Sequence, residues 1–132
     1  MATYNKFQAW AETMVEGANL ASDQFVIALT NTAPVATNSV LTDITQITYT
    51  NLSSRNVTTT SSSQASGTYT LVLADLVMTA SGAVGPFRYV VLFDDTVAGD
   101  PLVGWWDYGS SITMANGETF TVDFTGAAIT LS

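Results

Sequence analysis

The chain has 132 residues, of which 47% are hydrophobic and 11% are charged, and its three basic and eleven acidic residues give a formal net charge of -8. It contains no histidine and no cysteine. This composition excludes disulfides and thiolate chemistry. The negative charge argues against binding to nucleic acid or to an anionic membrane, because both attract lysine and arginine.

The length fits a single domain, residues 1–132, that can bury a core without a metal or a disulfide. No apolar run approaches the roughly 18 residues of a membrane span. Glu12 and Glu16 interrupt the start of the chain, which therefore lacks the apolar run of a signal peptide. We expect a protein that is made in the cytoplasm and used without a cleaved leader.

A short α-helix is the first predicted element, at about residues 5–17. Asn5 is a candidate N-cap with Gln8 as its capping-box partner, and Gly17 is a natural end. Between these signals and just beyond them, apolar residues recur at helical spacing, namely Phe7, Trp10, Ala11, Met14 and Ala18.

A helix of about three turns is marginal alone and must pack on another surface. In one interpretation it covers a face or an end of the chain's own sheet. In the other, Phe7, Trp10 and Met14 belong to an interface, and the two aromatic rings anchor the helix in a neighbouring subunit. Both interpretations are compatible with the sequence.

From about residue 22 onward the apolar residues recur with a period of two, which is typical of strands. The run 87–93 is apolar on both faces and predicts a central strand. The hydroxyl-rich run 58–67 predicts a polar edge strand leading into a loop, and Asn116-Gly117 predicts a type I′ hairpin turn. About eight to ten short strands predict a mainly β fold over residues 22–132, an antiparallel β-sandwich, jelly roll or Greek-key barrel.

The residue types needed for catalysis do not form a recognisable constellation. A serine or threonine nucleophile would need an activating base, and without histidine the candidates are carboxylates and the sole lysine, Lys6, at the start of the helix. Eleven acidic residues always provide some pair of carboxylates, so a pair alone does not indicate glycoside hydrolysis. We expect no enzymatic activity, no catalytic residue and no cofactor.

The densest acidic stretch is 94–100, in which Asp94, Asp95 and Asp100 could offer carboxylates to calcium. The stretch lacks the ligand order of an EF-hand loop. The alternative is that these residues cap a solvated turn before Pro101. We expect no metal site, with this loop as the candidate if one exists.

Two adjacent tryptophans make the most distinctive local pattern. In a regular strand Trp106 shares one face with Tyr108, and Trp105 shares the other with Val103 and Asp107. Trp105 is then a candidate anchor for an interface or for a sugar ring, because a tryptophan offers much contact area. The alternative is that both tryptophans belong to the core.

Arg88 occupies an otherwise apolar strand face. An unpaired charge in such surroundings is costly. We therefore expect Arg88 to be paired with a carboxylate.

Several segments carry a family resemblance, namely TYNKF at 3–7, ALTNTAPVATNSV at 28–40, YTNLSSRNVTTT at 49–60, GPFRYVVLF at 85–93 and GETFTVDF at 117–124. The chain resembles short virion proteins of tailed bacteriophages, nearest the capsid cement or decoration proteins. The resemblance implies a β-sandwich or jelly-roll structural protein that forms dimers or trimers. It also implies binding to the major capsid protein on the outer surface of the head.

Two other functions stay open. One is a tail or neck component, such as a fibre-associated adhesion module that stacks Trp105 or Trp106 on bacterial glycans. The other is a cytosolic enzyme or regulator. The segments that carry the resemblance contain no catalytic or metal-binding motif, so the resemblance implies a role and no site residues.

Overall fold

The computed structural model describes residues 3–124 and 129–131. The remaining residues of the predicted domain, at positions 1, 2, 125–128 and 132, lie outside the described part. The strands are β1 Tyr4–Lys6, β2 Phe25–Thr30, β3 Asn56–Val57, β4 Thr59–Ala65, β5 Thr68–Leu73, β6 Leu76–Thr79, β7 Val84–Asp94, β8 Leu102–Met114, β9 Thr119–Val122 and β10 Ile129–Leu131. A single α-helix, α1 (Trp10–Glu16), and a 3₁₀ helix (Leu41–Asp43) complete the described elements.

The fold is mainly β, with antiparallel pairing throughout the described sheets, as the sequence predicts. A five-stranded sheet has the order β1-β8-β7-β2-β3, a three-stranded sheet has the order β10-β5-β4, and β6 pairs with β9. The predicted central strand is confirmed, because β7 lies between β8 and β2. The predicted polar edge strand is confirmed as β4, at one end of the three-stranded sheet.

The main core lies between the five-stranded sheet and the two smaller sheets, in a sandwich-like arrangement. Its buried members come from α1 and from all three sheets, among them Trp10, Ile27, Leu71, Met78, Val90, Trp106, Val122 and Ile129. Regular alternation places one face of β2 and β7 in this core. Their other face, with Val26 and Val91, packs in a second buried cluster. Both faces of the central strands are therefore covered, which explains their continuous hydrophobicity.

The helix is shorter than predicted and starts later. Asn5 lies in β1, where it pairs with Trp105, and the N-cap position is Ala9, which makes no side-chain capping bond. The prediction of an Asn5 cap is wrong because strand pairing supplies the backbone of residues 4–6 with partners, whereas a short helix gains little from one cap. The predicted end is confirmed, since the Gly17 N–H donates to the Thr13 carbonyl at 2.9 Å.

The tight hairpin occurs elsewhere than predicted. Gly117 has a positive φ of 87°, but Asn116 does not, and the turn joins β8 to β9, which belong to different sheets. By contrast, Ser66 and Gly67 have φ values of 50° and 83° and connect the paired strands β4 and β5. Two positive φ values in a two-residue loop are the mark of a type I′ turn.

Candidate interaction surface

Phe7 and Trp10, two of the predicted interface residues, are buried within the chain. Phe7 is 0% exposed and its ring centroid lies 4.6 Å from that of Trp105. Trp10 is 1% exposed and meets Phe25 edge-on at 6.2 Å. Neither ring lies on the surface of the chain, so the geometry agrees with the interpretation that the helix covers the chain's own sheet.

Trp105 is partly buried, and a bulge changes its strand neighbours. Leu92 pairs with Gly104 while the next residue, Phe93, pairs with Leu102, so Val103 is an extra residue in β8. This bulge places Val103 in the main core with Trp106, and not beside Trp105 as strict alternation predicts. One side of the Trp105 ring rests on Phe7, and the ring keeps some solvent exposure.

Met14 lines an open groove between the end of α1 and the three-stranded sheet. The groove has a volume of about 470 Å³, and its lining includes Met14, Ala18, Leu20, Ser62, Tyr69 and Leu131. Most of these side chains are apolar. Met14 is thus a predicted interface residue that the structure places on a concave, accessible surface.

The hairpin of β4 and β5 forms the wall of this groove and exposes almost all of β4. Six of the seven β4 residues are exposed. Hydroxyls tie the two strands together, with Ser62 Oγ 2.7 Å from the Tyr69 hydroxyl and Thr60 Oγ1 donating to the Val72 carbonyl at 3.2 Å. The strand is thus well ordered by local bonds while its surface consists of uncharged polar groups.

Acidic residues are absent from positions 44–74, which include β3, β4 and β5. The one charge in that segment is Arg55, whose Nη1 donates to the Ile27 carbonyl at 2.6 Å. Its guanidinium lies 3.7 Å from the centroid of the Tyr49 ring. Burial raises the pKa of Tyr49, and the Leu29 N–H and Arg55 oppose that rise.

The eleven acids therefore lie on the other elements of the chain. Their exposed members are Glu12, Glu16, Asp43, Asp75, Asp95 and Glu118. Three of these accept backbone hydrogen bonds, namely Asp43, Asp75 and Glu118. The β4 hairpin therefore carries no carboxylate, and the exposed acids belong to other elements of the chain.

Asp94, the first residue of the predicted acidic loop, points into the protein. It is 0% exposed, and its Oδ1 accepts the N–H groups of Thr96 at 3.0 Å and Val97 at 3.4 Å. The carboxyl of Asp23 lies beside it, since Asp94 ends β7 opposite Phe25 and Asp23 is two residues before Phe25.

Burial, followed by the hydrogen bond to Asp23, raises the pKa of Asp94 to about 7. The two backbone donors of the loop oppose this rise, and the negative charge of Asp23 adds to it. Asp94 Oδ2 is buried and accepts no hydrogen bond from the described residues. A proton on this oxygen, donated to the Asp23 carboxylate, would give it a partner, in agreement with the raised pKa of Asp94.

The remaining two acids of the loop are not brought together with Asp94 as a ligand set. Asp95 is exposed, whereas Asp100 is partly buried with a positive φ of 49°. Burial, and then the charge of Asp95, raise the pKa of Asp100. Within residues 3–124 and 129–131 no group of three or more acidic side chains is arranged to hold a metal ion.

The predicted pairing of Arg88 is confirmed. Its Nε donates to Asp107 Oδ1 at 2.8 Å and its Nη2 donates to Oδ2 at 3.1 Å. Both side chains are more than a third exposed, at 38% and 40%, so the pair is a surface ion pair. The Arg88 hydrogen bond and the Gly109 N–H hold the pKa of Asp107 below its usual range.

Comparison with known proteins adds no relative. The chain matches no protein-family model, and searches of characterised proteins and of solved structures find no significant match. Among the helices of the described residues, none is long and apolar enough to cross a membrane.

Proposed function

We propose that this chain is a non-enzymatic structural protein of a tailed-phage virion, a decoration protein that binds the outer surface of the head. The proposal includes binding to the major capsid protein and self-association as a dimer or trimer. It assigns no nucleic-acid or membrane partner. The proposal rests first on the segments that resemble phage virion proteins. The distribution of charge gives it physical support.

The observation that carries the proposal is the placement of the acids. Exposed carboxylates lie on the two helices and on the loops, while residues 44–74 contain no carboxylate. An acidic surface is repelled by packaged DNA and attracted by basic patches on an outer shell. A dimer or trimer that contacts several shell subunits at once binds tightly even if each single contact is weak. A protein that binds only the assembled shell also stabilises that shell by mass action.

The test is binding of the purified protein to undecorated, expanded phage shells over a range of salt concentrations. Attraction between charged surfaces weakens as salt screens it, so we expect binding that falls with salt and a raised melting temperature of the shell. A variant carrying Glu12→Gln, Glu16→Gln and Asp95→Asn should bind more weakly, and it should lose less affinity as salt rises. These three side chains are exposed and make no side-chain hydrogen bond to other described residues, so the substitutions remove charge without breaking a hydrogen bond.

A matched control changes surface hydroxyls and leaves the charge alone. Thr42 and Thr48 are exposed, and Thr42→Ser with Thr48→Ser should leave shell binding unchanged. No binding to shells at any salt concentration would refute the proposal. Equal binding by the charge variant and the control would refute its electrostatic basis.

A second function is favoured by one observation, the partly exposed ring of Trp105, which packs against the buried Phe7 ring at an interplanar angle of 43°. A rigid aromatic surface suits stacking on a sugar ring, which fits a tail, neck or fibre-associated adhesion protein. Copy number separates the two functions, since hundreds of copies in each virion suit a head protein and a few dozen or fewer suit a tail component. Absence from purified particles would contradict both.

A further inference from the structure

The outer edge of β4 presents unpaired backbone groups. Ala65 and Thr68 flank the two-residue turn and face each other, so they form a hydrogen-bonded pair. Pairs alternate along an antiparallel ladder, which makes Ser63 opposite Thr70 the next bonded pair. The N–H and C=O groups of Ser62 and Gln64 therefore point away from β5. In the described part of the chain no strand pairs with that side.

This edge lacks the features by which proteins protect such strands. Edge strands are usually blocked by charged side chains, by proline, or by a covering helix or loop. The β4 sequence TTSSSQA has neither charge nor proline, and it is exposed along nearly its whole length. Its bulge lies at one end, between Thr59 and Ser61, so the stretch from Ser61 to Ala65 is regular.

The charge distribution favours a second copy of this chain as the occupant of this edge. Two copies with a net charge of -8 each repel one another wherever carboxylates meet. Residues 44–74, which include β4, are the longest segment without a carboxylate. A basic partner would be drawn instead to the acidic surfaces. The neutral edge is thus where two copies approach at the lowest electrostatic cost.

We propose that two copies of the chain associate through antiparallel pairing of their β4 edges, joining two three-stranded sheets into one. The regular stretch Ser61–Ala65 sets the register, with the two-fold axis at its centre, Ser63. In this register Ser62 of each copy pairs with Gln64 of the other, and all four residues use their outward backbone groups. The interface is isologous, as two-fold association requires.

The test uses sedimentation velocity over a range of protein concentrations, with no phage component present. We expect a reversible dimer for the unchanged chain. Ser62→Pro removes an outward N–H and the hydroxyl bond to Tyr69, but it leaves the β4–β5 backbone bonds in place. It should weaken dimerisation about tenfold or more, whereas Ser62→Ala, which removes the hydroxyl bond alone, should not. Unchanged circular dichroism of this variant would show that it folds. A monomer at all concentrations for the unchanged chain, or undiminished dimerisation of folded Ser62→Pro, would overturn the proposal.

Single cysteines test the register independently of proline, because the chain has no cysteine of its own. Across the two-fold axis the Ser63 residues form a non-hydrogen-bonded pair, with Cα atoms about 4.5 Å apart, within the range of a disulfide. Ser63→Cys should therefore give a disulfide-linked dimer on mild oxidation. Ser61→Cys is the matched control, since its partner across the axis is Ala65. An equal yield of disulfide-linked dimer from both variants, or no such dimer from Ser63→Cys, would contradict the proposed pairing register.

Dimerisation and shell binding can fail separately. The dimer rests on the uncharged edge and is measured in solution, whereas shell binding rests on the acidic surface. A Ser62→Pro monomer that still binds shells in a salt-dependent way, with lower affinity than the dimer, supports both proposals. A stable dimer that does not bind shells at any salt concentration would refute the decoration function without contradicting the β4 interface.

Discussion

Replacing Asp94 by asparagine should change how stability depends on pH. Asp94 is fully buried, and its pKa is raised to about 7 by burial and by its hydrogen bond to Asp23. The folded protein therefore holds a proton that the unfolded chain, with an ordinary aspartate pKa of 3.8, releases at much lower pH. Asparagine keeps the shape, cannot ionise, and can donate its amide N–H to Asp23.

The sign of the effect follows from proton linkage. Because the pKa of Asp94 is raised on folding, its stabilising contribution is fully present below about pH 4 and is lost as pH rises through about 7. Each pH unit between the folded and unfolded pKa values corresponds to about 1.4 kcal/mol, so the shift from 3.8 to about 7 sets an upper limit of about 4 kcal/mol. Sharing of the proton with Asp23 and relaxation of the loop reduce this, and we expect about 1–3 kcal/mol.

The assay is urea unfolding followed by tryptophan fluorescence at intervals from pH 4.5 to pH 9. The free energy of unfolding of the unchanged chain, measured relative to Asp94→Asn, should fall by about 1–3 kcal/mol as pH rises across this range. Taking the difference removes contributions from other groups, such as Asp43 and Asp107, whose pKa values are lowered.

Asp95→Asn is the matched control for this experiment. It removes the same formal charge from the adjacent, exposed residue of the same loop. Relative to the unchanged chain, this variant should show no comparable trend between pH 5 and pH 9. A difference between Asp94→Asn and the unchanged chain that stays constant with pH would refute the assignment of a shared proton to Asp94.

Two packing predictions concern the N-terminal segment. Gly104→Ala should destabilise the fold by about 1–3 kcal/mol, because a Cβ at this position overlaps the Tyr4 ring and must displace it; an unchanged urea midpoint would contradict this. Phe7→Ala should cost about 3–5 kcal/mol, because Phe7 is 0% exposed, and should shift tryptophan emission to longer wavelength as Trp105 loses its cover. Emission that does not move in folded Phe7→Ala would contradict the packing of these two rings.

Local alternation predicts the mainly β fold and the place of the central strand, but not β1, most of which lies within the residues predicted as helix. The run 87–93 is apolar on both faces because its residues pack in two cores, Val90 in the main cluster and Val91 in the second. The bounds of the helix were not predictable in the same way. A capping signal at Asn5 competes with strand pairing to Trp105, and that partner is distant in the sequence.

The features of the candidate site that sequence reasoning missed are set by long-range register. Asp23 and Asp94 become neighbours because β2 and β7 pair with Phe25 opposite Asp94, and no local pattern indicates that pairing. Likewise, the extra residue Val103 reverses the faces expected for part of β8. The serine-rich run did predict an edge strand, but its ordered type I′ turn depends on a positive φ at Ser66, which sequence propensity does not favour.

The small number of charges and their placement have one physical explanation if the chain works as an assembled protein. Hydroxyl and amide groups on β4 keep the hairpin soluble without carboxylates, so a second copy can approach it without strong repulsion. More lysine or glutamate on β4 would improve solubility but would block pairing at this edge. Acids confined to the other elements would leave the proposed dimer with acidic surfaces on both copies, and such surfaces would bind a basic shell more tightly as a pair than singly. A uniformly acidic surface could not serve both contacts. It would attract a basic shell but would repel a second copy of the chain, and salt that screened this repulsion would also weaken binding to the shell.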